Sequence, residues 1–567
     1  MIKQKKCILL CFTVVANILL SNHSLKSQTK TVSPPDTSKR SVQKPKPKED
    51  QPKLELPDVL IYGIDRAVRV TGEKKESFQK DIKLIAPTVT YQPLTSELNL
   101  KSQKSYFQAR RQAKESRTKI QLDGGRYQQF DAIFGHWKEA EGYNYILEAN
   151  YGRSNGQYQN SQYTQGLVKG QIGVNLTQQF VLTSQGNYQL LDYGLYGAQL
   201  ENLKRKIDGG SAKVDALLSS SVDQSTELSL DLQQKKYKDD VADSTKAELK
   251  ERNIGLLGTF KTELGSTPLF LRASYDYHKL NYQDSTATNS QKYLLAKMWL
   301  AFVLKQRVII KPGFQIENLK ISDAFSKNKI SPYLEIIAMP STSLGLLLRG
   351  SRGYAPVSYT ERWEENPYLS HQANFIPTEK EIDLKFEIDF HPSSKVTLIG
   401  DVKREDWKNY PYWYYEPAIG NFQLAPLEKL TLIIGSFEGK LHFSEKISFN
   451  AGVQIAFDSI KDDSLTSQTA NLPYLEKLKF PLKFEYQISK NTKSELNFVW
   501  IGPRYFKLTS DEKLSKHGLL SLQVENQFQD HIGFYVKGNN LLDQNYELWE
   551  KYPGMGLYFE LGLRGSW

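Results

Sequence analysis

The chain has 567 residues, a net charge of +11, 12% aromatic side chains with 32 tyrosines, and only two cysteines. A mean hydropathy of -0.51 is too polar for a bundle of membrane-spanning helices, which need runs of about 20 apolar residues. Both cysteines, Cys7 and Cys11, fall in a segment expected to be removed, so the mature chain is expected to hold no disulfide and no cysteine metal site.

In chain order, Lys3, Lys5 and Lys6 precede a short apolar run over residues 7–20 and a small polar stretch over 21–27. This is the layout of a secretory signal peptide, assigned to residues 1–27. The apolar run is too short for an anchor. Leu10 before Cys11, and the place of that cysteine within the apolar run, argue against lipidation. Residues 28–57, with "TVSPPDTSKRSVQKPKPKEDQPK", are rich in proline and lysine and bury nothing, which predicts an extended, flexible periplasmic tether. Much of the positive charge sits in the leader and in this arm, while the remainder mixes both signs. For an exported chain, the charge therefore reads as solvated surface and not as a nucleic-acid footprint. Residues 58–116 are mixed in composition, with an apolar patch "DVLIYG" and a polar tail "ARRQAKES", and composition assigns them no fold.

From residue 117 one pattern persists. In "KISFNAGVQIAFD", Ile447, Phe449, Ala451, Val453, Ile455 and Phe457 alternate with Lys446, Ser448, Asn450, Gln454 and Asp458. The preceding segment alternates likewise, with Ile433, Phe437, Leu441 and Phe443 against Ser436, Glu438, Lys440 and His442. A tight turn at Ser444 and Glu445 joins them as a hairpin. Short turns recur near Glu139, Leu176, Asp223, Gly265, Gln306, Ser341, Ser393, Glu445, Lys490 and Asp530. Longer connections lie near Gly125, Asn155, Glu201, Ala242, Thr286, Phe325, Trp363, Tyr415, Leu465, Asp511 and Trp549, the one at Tyr415 being unusually long and the one at Gly125 short. Short turns on one side and long loops on the other predict an all-β, antiparallel transmembrane β-barrel of about 22 strands over residues 117–567. A soluble sandwich or propeller also alternates. Against it stand the strand length and the aromatics Tyr143, Tyr151, Tyr275 and Tyr277 near strand ends, where membrane girdles lie.

The chain closes with "PGMGLYFELGLRGSW", whose odd positions Leu557, Phe559, Leu561, Leu563 and Trp567 are apolar, while Tyr558, Glu560, Arg564 and Ser566 hold the other face. The apolar medium on the odd side is read as outer-membrane lipid. A last strand with Phe559, Leu561, Leu563 and Trp567 on one face resembles the signal by which the barrel-assembly machinery recognises outer-membrane barrels, with tryptophan in place of the usual phenylalanine.

"GNNLLDQNYELWEKYPGMGLYFELGLRGSW" resembles the last hairpin of TonB-dependent outer-membrane receptors, through Asn540, Leu541, Asp543 and Tyr546. "RGYAPVSYTERWEENPYLSHQANFIPTEKEIDL" is similar to a second motif of that family, through Arg352, Gly353, Pro356, Asn366, Pro367, Leu369, Pro377 and Glu379. A weaker likeness, "YGRSNGQYQNSQY" at residues 151–163, matches the third strand and first long loop. The resemblance covers residues 117–567 and implies a 22-stranded barrel, transport of a large solute and a TonB-type energy-coupling partner. "LELPDVLIYG" is similar to the family's TonB box, whose counterpart here is Val59, Leu60, Ile61 and Tyr62. Such a segment pairs with a partner sheet edge by strand addition. The departure is the plug. Family members carry a globular plug much longer than residues 58–116, so here the plug is short, vestigial or missing.

No catalytic or cofactor motif is present: the eight histidines are scattered, and no metal pair, nucleophile elbow or phosphate loop appears. The chain is read as a non-enzyme without cofactor. Two functions compete. The first is receptor-like passage of a large solute across the outer membrane. The second is a plugless barrel that acts as a passive pore or anchors a surface complex, with a periplasmic or surface lipoprotein as partner. The stretch "DWKNYPYWYYEP" brings Trp407, Tyr410, Tyr412, Trp413, Tyr414 and Tyr415 into a loop, either to stack on sugars or other planar ligands or to pack the loops together.

Overall fold

A computed structural model of the chain describes residues 115–567, apart from residues 141, 178, 198–202, 221–223, 242–243, 283–287, 306, 372–373, 418–419, 464–469 and 530. The leader, the tether and the segment with Val59, Leu60, Ile61 and Tyr62 lie outside the described residues. The strands are β1 (Glu115–Gly125), β2 (Gln129–Ala140), β3 (Tyr143–Ser154), β4 (Tyr163–Asn175), β5 (Phe180–Gly194), β6 (Lys204–Ser219), β7 (Ser225–Val241), β8 (Ser244–Leu264), β9 (Thr267–Tyr282), β10 (Thr288–Leu300) and β11 (Val308–Ile321). They continue as β12 (Phe325–Ser341), β13 (Leu344–Tyr354), β14 (Glu379–Ser393), β15 (Val396–Glu416), β16 (Asn421–Ser444), β17 (Ile447–Lys461), β18 (Leu478–Ser489), β19 (Thr492–Ile501), β20 (His517–Gln529), β21 (Ile532–Asn539) and β22 (Tyr558–Ser566). A short piece, Phe302–Leu304, carries β10 on past Ala301 and pairs with the same neighbour, β11.

Each strand pairs antiparallel with the next, and β22 pairs back onto β1 from Lys119↔Ser566 to Gly125↔Glu560. Thr118 and Trp567 exchange backbone hydrogen bonds of 2.7 and 2.9 Å at the seam. The result is the closed 22-strand barrel expected from the turns. Closure leaves no edge strand, the condition for a sheet to cross lipid.

Burial along the wall is inverted relative to a soluble sheet. On β22, Leu561 and Leu563 are 63% and 56% exposed, whereas Glu560 and Tyr558 are 3% and 4% exposed. The same holds elsewhere: Leu147, Val168, Leu232, Leu256, Leu294, Val402 and Phe437 point outward, and Asp131, Gln315, Glu387 and Glu438 are buried inside. An apolar belt facing out and a polar lining facing in define a transmembrane barrel.

Three expectations need correction. Leu557 does not share the lipid face: it precedes β22, its N–H donates to Asp543 Oδ1 at 2.9 Å, and it is buried. The connections near Ala242 and Phe325 are tight, since β7 and β8 are separated by residues 242–243 and β11 and β12 by residues 322–324. The stretch around Tyr415 is strand and not a long loop. β15 and β16 stay in register up to Glu416↔Asn421, because the aromatic run is β-prone and pairs with another apolar run, "NFQLAPL". The longest connections are residues 355–378, 462–477, 502–516 and 540–557.

Because Leu561 stands outward near the middle of β22, Leu561→Arg should weaken insertion by about 2 to 4 kcal/mol. Arg564→Ala should be mild, since Glu525, its partner at 3.0 Å, keeps Lys493 at 3.3 Å. Heat-modifiable mobility in outer-membrane fractions checks both; equal behaviour of the two variants contradicts the assignment of faces.

Candidate functional site: the long-loop mouth

The connection from β13 to β14 folds inward. Helix α1 (Tyr359–Glu365) starts at a capping box: Ser358 Oγ accepts from the Glu361 N–H at 3.1 Å, and Glu361 Oε2 accepts from the Ser358 N–H at 2.7 Å. This sets the start of the helix locally. The next free donors, the N–H groups of Tyr359 and Thr360, donate at 2.9 and 2.8 Å to the carboxylate of Glu251 on β8. Glu251 is 1% exposed, so a buried carboxylate of the wall sits at the positive end of the helix.

Beyond α1 the chain crosses the mouth. Arg205 of β6, with no exposed surface, makes a two-pronged pair with Asp239 of β7 at 2.7 and 2.7 Å. Its remaining donors reach the carbonyls of Pro367 at 3.1 Å and Leu369 at 2.6 Å. Trp363 donates through Nε1 to the Tyr193 hydroxyl at 2.9 Å, and that hydroxyl donates to the Pro367 carbonyl at 2.7 Å. On the far side, the Ser370 N–H donates to the Phe422 carbonyl at 2.7 Å, and the Phe422 N–H to the Tyr368 carbonyl at 3.0 Å. The loop thus ties the β5–β8 wall to the β15–β16 hairpin, which lies half-way round the barrel.

Aromatic rings complete the crossing. Tyr368 stacks on Tyr552 of the β21–β22 loop at 3.5 Å between centroids, and Tyr552 meets Tyr196 edge-on at 5.2 Å. Trp549 contacts Tyr474 at 4.6 Å, Phe422 at 5.3 Å and Trp413 at 5.8 Å. Each such pair contributes about 0.5 to 1.5 kcal/mol beyond area burial. A half-open cavity beside α1 has a volume of only about 20 Å³, room for a single water.

The predicted residues divide between these features. Asn366, Pro367 and Leu369 form the crossing itself. At Gly353 a Cβ would lie 2.6 Å from the Glu317 carboxylate, so a larger residue would displace that side chain. The Arg352 carbonyl accepts from Gln315 at 2.6 Å, and Pro377 accepts from Asn409 at 3.2 Å. Glu379 pairs with Lys329, and Pro356 is half-buried near the helix start. Asn540, Leu541, Asp543 and Tyr546 organise the last loop. Asn540 and Asp543 take positive φ of 46° and 49°, and Asn540 clamps Gln544 and Met555 through hydrogen bonds of 2.8 to 3.0 Å. Leu541 covers Gly538, and Tyr546 stacks on His517 at 4.6 Å. Phe559 lies on β22 with Leu561 and Leu563, and Trp567 closes the seam.

Much of the aromatic stretch packs on neighbouring strands and loops. Trp413 and Tyr415 join the mouth core, and Trp407, Tyr410 and Tyr412 pack on Leu427, Leu430 and Leu472. Tyr414 is held by Gln423 at 2.8 Å. Sequence reasoning missed Arg205, Asp239, Glu251, Tyr193 and Trp363. Nothing local marks the wall residues among many inward polar positions. For the loop, the capping box "SYTE" was the available signal. Among the described residues, no group of three His, Cys, Asp or Glu side chains is placed to hold a metal ion.

No protein-family model and no curated protein matches the chain. Solved structures do. The copper transporter OprC superposes with a TM-score of 0.65 at 12% identity, over 80% of each chain. The FrpB iron transporter from Neisseria meningitidis gives 0.65 at 7% identity, over 80% of this chain and 82% of that one. The siderophore receptor PirA from Pseudomonas aeruginosa gives 0.58 at 12% identity, over 81% of both. The chain has the barrel fold of TonB-dependent outer-membrane receptors. Its outward apolar belt makes it a transmembrane barrel, and the two stronger receptor-like motifs fall on the two loops that meet over the mouth.

The imidazole of His371 lies within the crossing, its Nδ1 3.5 Å from Asp239 Oδ2, and neither ring nitrogen is hydrogen-bonded. Burial pushes its pKa down from 6.5 to about 4, opposed by Asp239 and reinforced by Arg205. An undocked loop therefore binds a proton that the docked loop refuses. Docking should be pH-independent above about 6.5 and should weaken as pH falls toward about 4, by up to about tenfold per unit. Hydrogen exchange over residues 359–371 measures this, and His371→Gln should remove the dependence across that window. Arg205→Met leaves Asp239 buried without its guanidinium partner, with only His371 beside it, at a cost of about 3 to 5 kcal/mol. It should open the same segment to exchange while the barrel stays folded; unchanged protection would contradict the latch.

Proposed function

We propose that the chain is an outer-membrane transporter of TonB-dependent receptor type, which passes a solute too large for ordinary porins through a mouth closed by the β13–β14 loop. The observation that carries this reading is the loop itself. It is fastened across the opening by buried polar contacts to Arg205 and Glu251, a form suited to two discrete states and not to a permanently open pore. Solved relatives in fold include a copper transporter, an iron transporter and a siderophore receptor, which supports a transport role.

Energy coupling would act through Val59, Leu60, Ile61 and Tyr62. A β-prone run at the end of a proline-spaced tether is suited to pair with the sheet edge of a periplasmic coupling protein. Residues 58–116 are short for a plug, and this is the feature that favours the alternative of a plugless pore or an anchor for a surface lipoprotein.

Ile61→Pro removes a backbone donor and fixes φ, and should abolish solute uptake and crosslinking to the coupling protein. Ile61→Val keeps β propensity and should be nearly silent. Wild-type uptake by the proline variant, at normal barrel abundance, would falsify coupling. Deleting residues 58–116 should admit large antibiotics if that segment blocks the lumen. Unchanged low permeability would show that the loops or a partner close it.

A further inference from the structure

The outward face of β6–β11 carries an arrangement that neither closure nor lipid burial explains. Directly opposite side chains on an antiparallel sheet lie close together, and like charges there repel. On this face four such cation pairs follow one another around the wall: Lys206 opposite Lys238, Lys236 opposite Lys250, Arg252 opposite Lys279, and Lys292 opposite Lys320. They lie immediately on the long-loop side of the apolar belt made here by Leu230, Leu232, Ile254, Leu256, Leu294 and Ile316, which are 36% to 48% exposed.

Carboxylates serve only the flanks of the row. Lys206 pairs with Asp240 at 3.0 Å, Lys236 with Glu248 at 2.6 Å, and Lys320 with Asp323 at 3.3 Å. In the centre, Lys250, Arg252, Lys279 and Lys292 have no carboxylate within ion-pair distance among the described residues. Arg252 reaches only Gln234, at 3.1 Å, and Lys292 lies over the Tyr277 ring at 5.7 Å. Another outward row, Lys408 opposite Lys429 opposite Lys461, has Glu381 and Glu428 beside it. The central quartet is therefore short of anions.

We propose that this row binds the phosphate groups of anionic lipid headgroups in the outer leaflet. Long loops mark the outer side of such barrels, so cations just beyond the apolar belt stand at headgroup height. A phosphate placed between two opposed cations offsets their repulsion and accepts charge-assisted hydrogen bonds from both. A lipid fits better than a free anion, because its acyl chains cover the apolar residues directly beneath. The site is a feature of the wall and does not depend on what the barrel transports.

The test is thermal unfolding of the full chain, read by heat-modifiable mobility at low ionic strength. The vesicles are phosphatidylcholine alone, phosphatidylcholine with phosphatidylglycerol, and phosphatidylcholine with inorganic phosphate in the buffer. Phosphatidylglycerol should raise the melting temperature by several degrees, high salt should erase the shift, and inorganic phosphate should not reproduce it. R252Q/K279Q should match or exceed the wild type in phosphatidylcholine alone, since a repulsion is removed, and should lose most of the phosphatidylglycerol shift. K408Q/K429Q should keep the shift. Absence of any shift in the wild type, a full shift in R252Q/K279Q, or an equal effect of free phosphate would each overturn the proposal.

Discussion

Every backbone N–H and C=O that faces hydrocarbon must find its partner within the protein, because lipid offers none. This chain meets that demand by closing its ladder at one seam, where β22 runs back along β1 and Trp567 and Thr118 bond to each other. The rest of the wall depends on that closure. Once the sheet is a cylinder, each strand has one lipid side and one enclosed side, and the period of two sorts the residues between them. Inside the seam, the Tyr535 hydroxyl sits 2.5 Å from Asp123 and 2.9 Å from Glu560, and it fits only because Gly562 has no Cβ, which would lie 2.3 Å from Asp123.

Polar groups inside the mouth face a different constraint. Burying a guanidinium and a carboxylate costs several kcal/mol each before they attract one another, so a buried pair favours a unique arrangement more than net stability. Arg205 and Asp239 fit that description. The guanidinium fixes where Pro367 and Leu369 lie, as their carbonyls complete its donors. The imidazole of His371, kept neutral by burial, adds a proton-sensitive element to the same contacts.

The motif residues that look functional in the sequence act mainly by shaping backbone. Asn540 and Asp543 stabilise positive φ, Gly353 makes room for Glu317, and Asn366 accepts from the Tyr368 N–H at 3.0 Å. They lie on the two loops that meet over the mouth. The aromatic run at residues 407–415 illustrates the opposite case: a stretch with the composition of a binding loop extends two strands and packs the loops on one another.

The sequence by itself determined the barrel, its strand number and the polarity of its faces. These follow from a period of two and from the spacing of turns, both of which are local. It also marked the motif loops, through residues a few positions apart. Only the tertiary structure decided that the β13–β14 loop crosses the opening, and that Arg205, Asp239 and Glu251 are the residues that fasten it. Arg205 is more than a hundred and fifty positions from Pro367 and Leu369. In the sequence it is one inward polar residue among many, and only barrel closure brings the opposite walls within reach of one loop. The opposed cation pairs on β6–β11 depend in the same way on strand register, which is set by the pairing of whole strands and is visible in no single segment.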